Sequence, residues 1–476
     1  MRKFKFTFVL FWAVFLSVSS ISFAQYRNVK GKINKVLRDE NLKDAFTGIE
    51  VFDLTRNRRV YSYNSGKLFT PASNEKILTT AAALYFLPQD YRFSTYLRIT
   101  GPVVNSVLYG DIVIKGTDDP LFKTGDLTAL ADSISGKGIK LVKGNLIGDV
   151  GWSDSLYFGS GWMWDDAYYG FMPFLTPLIL NKSRLEIEVK PANPNQIASV
   201  NFLDSLADFS LHNFILTIKD DSSNYDIERN YLGHKNVFWA NGFISANAEP
   251  DTATLNIVNP EKYFLQSFKE ICSERGIKIT GDIELKRNVP YVSELFTVTH
   301  SLDSVIVETN KESENIDAET LLRALAAEYY GEPATAANGV KMIDSLIMLT
   351  GNSPKDFIIA DGSGLSRYNL ISPELVIDIF RFLQKKTPEK FNRLIESLPV
   401  AGVDGTLKKR MRKGRAFKNL RAKTGTMTAV SALSGIVTNR RGRKLLFSIM
   451  MQNFSAKTSE IRKLQDKICE ILASSR

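Results

Sequence analysis

The chain has 476 residues, 44% hydrophobic and 24% charged, a globular balance that excludes a fibrous or disordered protein and leaves room for two or three domains. Its 61 basic and 51 acidic residues give a net charge of +10, and no Arg/Lys cluster interleaved with aromatics argues for nucleic acid. Three histidines, His212, His234 and His300, are scattered without ligand spacing, so no zinc centre is expected.

Arg2, Lys3 and Lys5 precede an apolar run from Phe6 to Val18, and Ser22-Phe23-Ala24 supplies small residues for cleavage before Gln25. Residues 1–24 read as a secretory signal peptide. No other stretch is apolar for the roughly 18 residues of a span, and no cysteine follows the cut to take a lipid. The mature chain is expected to be exported to the periplasm, soluble or loosely membrane-associated. Loss of three positive charges leaves 58 basic against 51 acidic residues. That surplus serves solubility or attraction to an anionic polymer. Cys272 and Cys469 lie in helical apolar patterns and read as buried free thiols rather than a disulfide.

A short helix is expected over 34–42, then a hairpin of strands 48–54 and 60–63. The hairpin leads into Thr70-Pro-Ala-Ser-Asn-Glu-Lys76 and an Ala/Leu-rich helix, with Pro71 in the first turn. From about residue 92 short alternating strands follow, at 95–100, 108–114, 141–150, 183–190, 214–219 and 236–244. Helices return at 263–274, 302–307, 318–330, 335–349 and 373–384. Strands 430–437 and 444–452 come next, and a last helix carries Ile461, Leu464, Ile468 and Leu472 on one stripe. This order suits a domain interrupted by an insertion better than domains in series.

Ser73 and Lys76 are three apart, neighbours on one helical face at its positive end. A lysine in a partly dry pocket loses its proton near neutral pH and can deprotonate that serine. About three such spacings are expected by chance in a chain this long; this is the only one. Acyl transfer also needs a proton path, an oxyanion hole and a cationic anchor. Ser313-Glu314-Asn315 offers a hydroxyl to relay protons and an amide to hold a carbonyl. Ser-x-Asn recurs at four other places, so alone it is weak. Lys423-Thr424-Gly425-Thr426 precedes a strand: Gly425 permits close backbone approach, Lys423 supplies charge, and the threonines supply hydroxyls. The N–H groups of Ser73 and Thr426 would form the oxyanion hole. A second Lys-Thr-Gly, at 123–125, is followed by Asp126 and reads as a loop of no catalytic consequence.

Ser73-x-x-Lys76, Ser313-x-Asn315 and Lys423-Thr-Gly425, in that order, resemble the penicillin-binding-protein and serine β-lactamase superfamily. The wide spacing between the first two, with 361–369 (Asp-Gly-Ser-Gly-Leu-Ser-Arg-Tyr-Asn) and 401–407, resembles the D-alanyl-D-alanine carboxypeptidase/endopeptidase family of the penicillin-binding protein 4 type, peptidase family S13. The segments 110–120 and 161–166 fit that family's inserted region. The resemblance implies an α+β fold: a transpeptidase-like domain, with an antiparallel sheet flanked by helices, over 25–95 and 289–476. A mostly β insertion would occupy 96–288, as one or two subdomains. It further implies that Ser73 attacks a D-Ala–D-X peptide bond with Lys76 as base. Ser313 would pass a proton to the leaving amine, and Lys423, Thr424 and Thr426 would hold the terminal carboxylate. Asp166 and Arg367 match the family's contacts to a diaminopimelate-type side chain, whose zwitterionic end wants one charge of each sign. No cofactor or metal is implied. The partners are peptidoglycan stem peptides and β-lactams, and a homodimer is left open. Two alternatives stand: a β-lactamase, or a catalytically silent cell-wall scaffold.

Overall fold

The computed structural model describes residues 28–203, 209–229 and 235–476; the expected signal segment lies outside them. Strands Val430–Thr438 and Lys444–Gln452 are mostly apolar and almost continuously buried, as strands covered on both faces must be. They lie in a five-stranded sheet, ordered 421–427, 430–438, 444–452, 46–53 and 58–63, with every neighbouring pair antiparallel.

Alternation sorts the side chains between two helical layers. Ala432, Ile436, Leu446 and Met450 face a core built with helices Glu75–Phe86, Asn315–Tyr330 and Pro373–Lys386. Leu433, Leu445, Phe447 and Ile449 face the opposite core, where Ile461, Leu464 and Ile468 of helix Thr458–Ala473 meet Ile33 and Val36 of the first helix. That first helix covers 28–36 rather than 34–42. Asp39 is extended and caps a separate 3-10 turn, Glu40–Leu42, by accepting from the N–H of Asn41, so the two cannot be one helix.

After helix Glu75–Phe86 the chain leaves along Arg92–Ile99 and returns along Ser293–Ser301, and these two strands pair antiparallel. Both belong to a second five-stranded sheet, ordered 283–286, 146–149, 112–116, 92–99 and 293–301. Two three-stranded sheets and a small four-stranded sheet complete this region. It holds one helix that was not expected, Thr124–Gly136, which joins the expected helix, here Pro260–Glu274, to bury Leu127, Leu130, Phe264 and Phe268 in one core. Helix Thr124–Gly136 begins at the second Lys-Thr-Gly, where Asp126 accepts from the N–H of Lys123 at 2.9 Å. The tripeptide is a helix start, not the expected loop. Cys272 and Cys469 are both free and buried.

Candidate active site

Ser73 sits in a 3-10 turn, Ala72–Asn74, that runs directly into helix Glu75–Phe86. Ala72 is left-handed, φ +47°, a conformation that costs a non-glycine residue and persists only where the surroundings hold it. Three residues on, Lys76 is completely buried. Its Nζ lies 3.0 Å from Ser73 Oγ, 2.6 Å from Asn315 Oδ1 and 2.7 Å from the carbonyl oxygen of Ser363. Burial pushes its pKa down to about 8, against the opposing fields of Asp361, Glu319, Glu314 and Asp317.

Ser313 occupies the joint between helices Leu302–Lys311 and Asn315–Tyr330, with φ +65°. Lys423 Nζ donates to Ser313 Oγ at 2.6 Å. Lys423 is also fully buried, and its pKa falls well below the ordinary lysine value through burial and then the nearby charge of Lys76. Glu314 is not idle: both its carboxylate oxygens accept from Arg184 Nη1, at 3.0 and 3.1 Å, tying the Ser313 joint to strand Arg184–Lys190. Asn315 presents Oδ1 to Lys76 and donates Nδ2 to the carbonyl of Phe171 at 2.6 Å.

Gly425 is where strand Arg421–Met427 meets the Ser73 turn. A Cβ there would lie 2.7 Å from the carbonyl oxygen of Pro71 and 3.0 Å from Asn74 Nδ2, so only glycine lets the two backbones approach this closely. Asn74 stitches the same junction by donating to the carbonyl of Lys423 at 3.2 Å. Thr424 Oγ1 meets Thr406 Oγ1 at 2.8 Å. Thr426 Oγ1 accepts from Arg462 Nη2 at 2.9 Å. Arg462 belongs to the last helix and makes no ion pair among the described residues, since the neighbouring Asp466 is taken by Arg410 at 2.6 Å.

The loop 361–369 closes the site from below. Asp361 accepts from the N–H groups of Gly364 and Ser366, from Asn369 Nδ2 and from Trp162 Nε1, at 2.6–2.8 Å. Glu319 accepts from the N–H groups of Gly362 and Ser363 at 3.0 and 2.9 Å. Gly364, at φ +81°, has the carbonyl oxygen of Ala72 only 2.0 Å from where a Cβ would stand. Burial, with Asp361 beside it, pushes Glu319 up to about 7. Glu75, buried next to Lys76, is raised well above its ordinary value by burial and by Asp361 and Glu319. Arg367 is exposed and donates to the carbonyl of Thr428 at 3.4 Å. Asp166, on the 3-10 turn Trp164–Asp166, lies in the field of Arg367; burial and Asp165 raise its pKa.

The model of the D-Ala-D-Ala carboxypeptidase 3 (S13) family matches residues 29–475. The chain belongs to this family. It is a serine-type D-Ala-D-Ala carboxypeptidase by class, with an α+β penicillin-binding-protein fold. The chain is 28% identical to D-alanyl-D-alanine carboxypeptidase DacB of Haemophilus influenzae, over 85% of this chain and 84% of that protein. It is 30% identical to a D-alanyl-D-alanine carboxypeptidase of an Actinomadura species, over 92% and 84%. The crystal structure of penicillin binding protein 4 (dacB) from Haemophilus influenzae superposes with a TM-score of 0.82 at 26% identity, covering 92% of this chain and 97% of that one.

In this S13 chain, hydrogen bonds join Lys76 to Ser73 and Asn315 in one set and Lys423 to Ser313 in another, and the charge of Lys76 acts on Lys423. Thr424 and Thr426 lie on the adjoining strand, and Arg367 and Asp166 come together in each other's electrostatic reach. Lys123, Thr124 and Gly125 start a helix of the inserted region. Motif reading overlooked three groups. Arg462 carries no local pattern. Glu319 sits in an Ala/Leu-rich helix that reads as core. Ser363 contributes a backbone carbonyl, which no side-chain motif reports.

Proposed function

We propose that Ser73 is the nucleophile of a cell-wall D,D-peptidase acting on peptidoglycan stem peptides, with the named neighbours in fixed roles. The observation that carries the reading is a fully buried lysine whose Nζ lies 3.0 Å from the serine hydroxyl. With a pKa of about 8, roughly a tenth of Lys76 is neutral at pH 7. Neutral Lys76 takes the proton of Ser73, and the freed Oγ attacks the carbonyl carbon of the penultimate D-alanine. The N–H groups of Ser73 and Thr426 stabilise the oxyanion. Ser313, hydrogen-bonded to Lys423, passes a proton to the leaving amine. Ser313 recovers that proton from Lys76, and the neutral Lys76 then takes a proton from the water that attacks the serine ester and returns it to Ser73 Oγ as the acyl group leaves.

Lys423, Thr424 and Thr426 hold the substrate's terminal carboxylate, and Arg462 reinforces them through its bond to Thr426. Asn315 orients Lys76 and holds the substrate's peptide carbonyl with its remaining amide N–H. Asp166 and Arg367 flank a diaminopimelate-type side chain, which extends the substrate range from D-Ala-D-Ala termini to D-Ala–diaminopimelate cross-links. β-Lactams acylate Ser73 and leave slowly, in keeping with the name of the Haemophilus protein. The N-terminal pattern supports export to the periplasm.

The test is fluorescent penicillin with the purified protein, wild type and Ser73→Ala, read by denaturing gel and intact mass. A one-to-one adduct present only in wild type is expected. No adduct on folded protein overturns the reading in favour of a silent scaffold, and an adduct that disappears within seconds overturns it in favour of a β-lactamase.

A further inference from the structure

The positive charge of this chain is concentrated in one segment. Residues 405–459 hold fourteen of the 61 basic residues and none of the 51 acidic ones, leaving 47 basic against 51 acidic elsewhere. Seven of the fourteen fall in the loop 408–418: Lys408, Lys409, Arg410, Arg412, Lys413, Arg415 and Lys418. Like charges this crowded repel one another and weaken the fold unless a partner compensates them.

The fold holds this loop firmly and turns its charges outward. Leu407, Ala416 and Leu420 are buried in the core that helix Thr458–Ala473 shares. Arg410 alone is neutralised, by Asp466. Glu470, the other acid at hand, accepts the backbone N–H groups of Arg415 and Ala416 at 2.8 and 3.0 Å rather than a side chain. The other six basic side chains are exposed and form no ion pair among the described residues. Asn419 bonds to both backbone groups of Thr438, which brings the exposed Arg440 and Arg441 of the next hairpin turn to the end of the same loop. At its other end the loop begins beside the cleft, where Thr406 touches Thr424.

We infer that the 408–418 loop is an electrostatic docking surface for the anionic peptidoglycan network, whose stem peptides carry free carboxylates, and that it feeds those peptides into the Ser73 cleft. The inference rests on the D,D-peptidase reading of that cleft. Placement favours the polymer over a lipid surface. The loop adjoins the carboxylate-holding strand, and it offers no apolar wedge for a bilayer: Met411 is turned partly into the core, and no large hydrophobic between 404 and 420 is exposed. A surface of this kind acts through long-range attraction, raising local substrate concentration and weakening with salt.

The test uses the full chain as Ser73→Ala, so that bound polymer is not cut, with and without Lys408→Gln, Lys409→Gln, Arg412→Gln and Lys413→Gln together. Co-sedimentation with purified diaminopimelate-type sacculi is measured at roughly 20 mM and 300 mM salt. The neutralised variant is expected to bind about tenfold more weakly at low salt, with the difference gone at high salt. A variant with Lys408, Lys409 and Lys413 changed to arginine should bind like its parent. In the Ser73 background, the four neutral substitutions should leave penicillin acylation and cleavage of a short soluble D-Ala-D-Ala peptide unchanged, which also shows that the variant folds. Equal sedimentation of the two proteins overturns the inference. So does capture of the parent by phosphatidylglycerol vesicles but not by sacculi, which makes the surface a lipid one. If wild type is not acylated at all, it is the peptidase reading that fails, and that failure is visible separately.

Discussion

Lys76 Nζ donates to the carbonyl oxygen of Ser363 at 2.7 Å, joining residues 287 positions apart. With Ser73 Oγ and Asn315 Oδ1, this contact occupies all three donors of an ammonium. The ammonium form is therefore well solvated by the protein even though burial opposes it. The balance leaves the lysine mostly protonated at physiological pH, with a minor neutral fraction that can act as base.

Acylation should accordingly follow the neutral fraction of Lys76. Its folded pKa lies below the ordinary lysine value, at about 8, so the neutral base becomes more abundant as pH rises. Second-order acylation by fluorescent penicillin is expected to climb about tenfold per pH unit below that value and level off above it. A flat profile from pH 6 to pH 9, measured by stopped flow or timed gel, would remove Lys76 as the base.

Glu319 holds the loop that supplies this carbonyl, and its charge also raises the pKa of Lys76. Pushed up to about 7 itself, it is largely ionised near pH 8, the midpoint of the Lys76 titration. Glu319→Gln keeps an oxygen to accept from Gly362 and Ser363 but removes the charge. The rising limb of the acylation profile should move to lower pH. A lower plateau with an unmoved limb would instead mean a purely structural role.

Arg462, which makes no ion pair among the described residues, puts its cation on Thr426. Arg462→Ala should reduce kcat/KM for peptides ending in a free D-alanine carboxylate by roughly ten- to a hundredfold, mainly through KM. The corresponding C-terminal amides should be almost unaffected, and Arg462→Lys should restore part of the loss. Equal losses on acid and amide substrates would refute carboxylate recognition.

Asp166 and Arg367 should matter only for substrates with a zwitterionic side chain. Asp166→Asn and Arg367→Gln are each expected to slow cleavage of diaminopimelate-bearing muropeptides by about tenfold while sparing a peptide that carries alanine at that position. Asp165→Asn serves as the control. Digestion followed by liquid chromatography reads both, and a uniform loss across substrates would count against a side-chain pocket.

Much of the site was legible because its chemistry is written locally. The Ser73–Lys76 spacing is one helical turn, so the side chains are neighbours wherever that helix lies. Strands 430–438 and 444–452 announced themselves by largely apolar runs interrupted only by small or terminal polar residues, since both faces of their sheet are covered. The helix at 124–136 was hidden inside a Gly/Asp-rich stretch, where its start reproduces the Lys-Thr-Gly of a strand.

The residues by themselves determined the family, the order of the three motifs and the identity of the nucleophile and base expected of them. Tertiary structure decided what those groups experience. Only the packed fold brings Glu319 under Ser363 and Ser363 against Lys76, sets Arg184 on Glu314, and turns Arg462 toward Thr426. These partners are tens to hundreds of residues apart and obey no spacing rule, because long-range contacts follow from how helices and sheets pack. A lysine's proton affinity is likewise a property of its buried surroundings, not of its place in the chain.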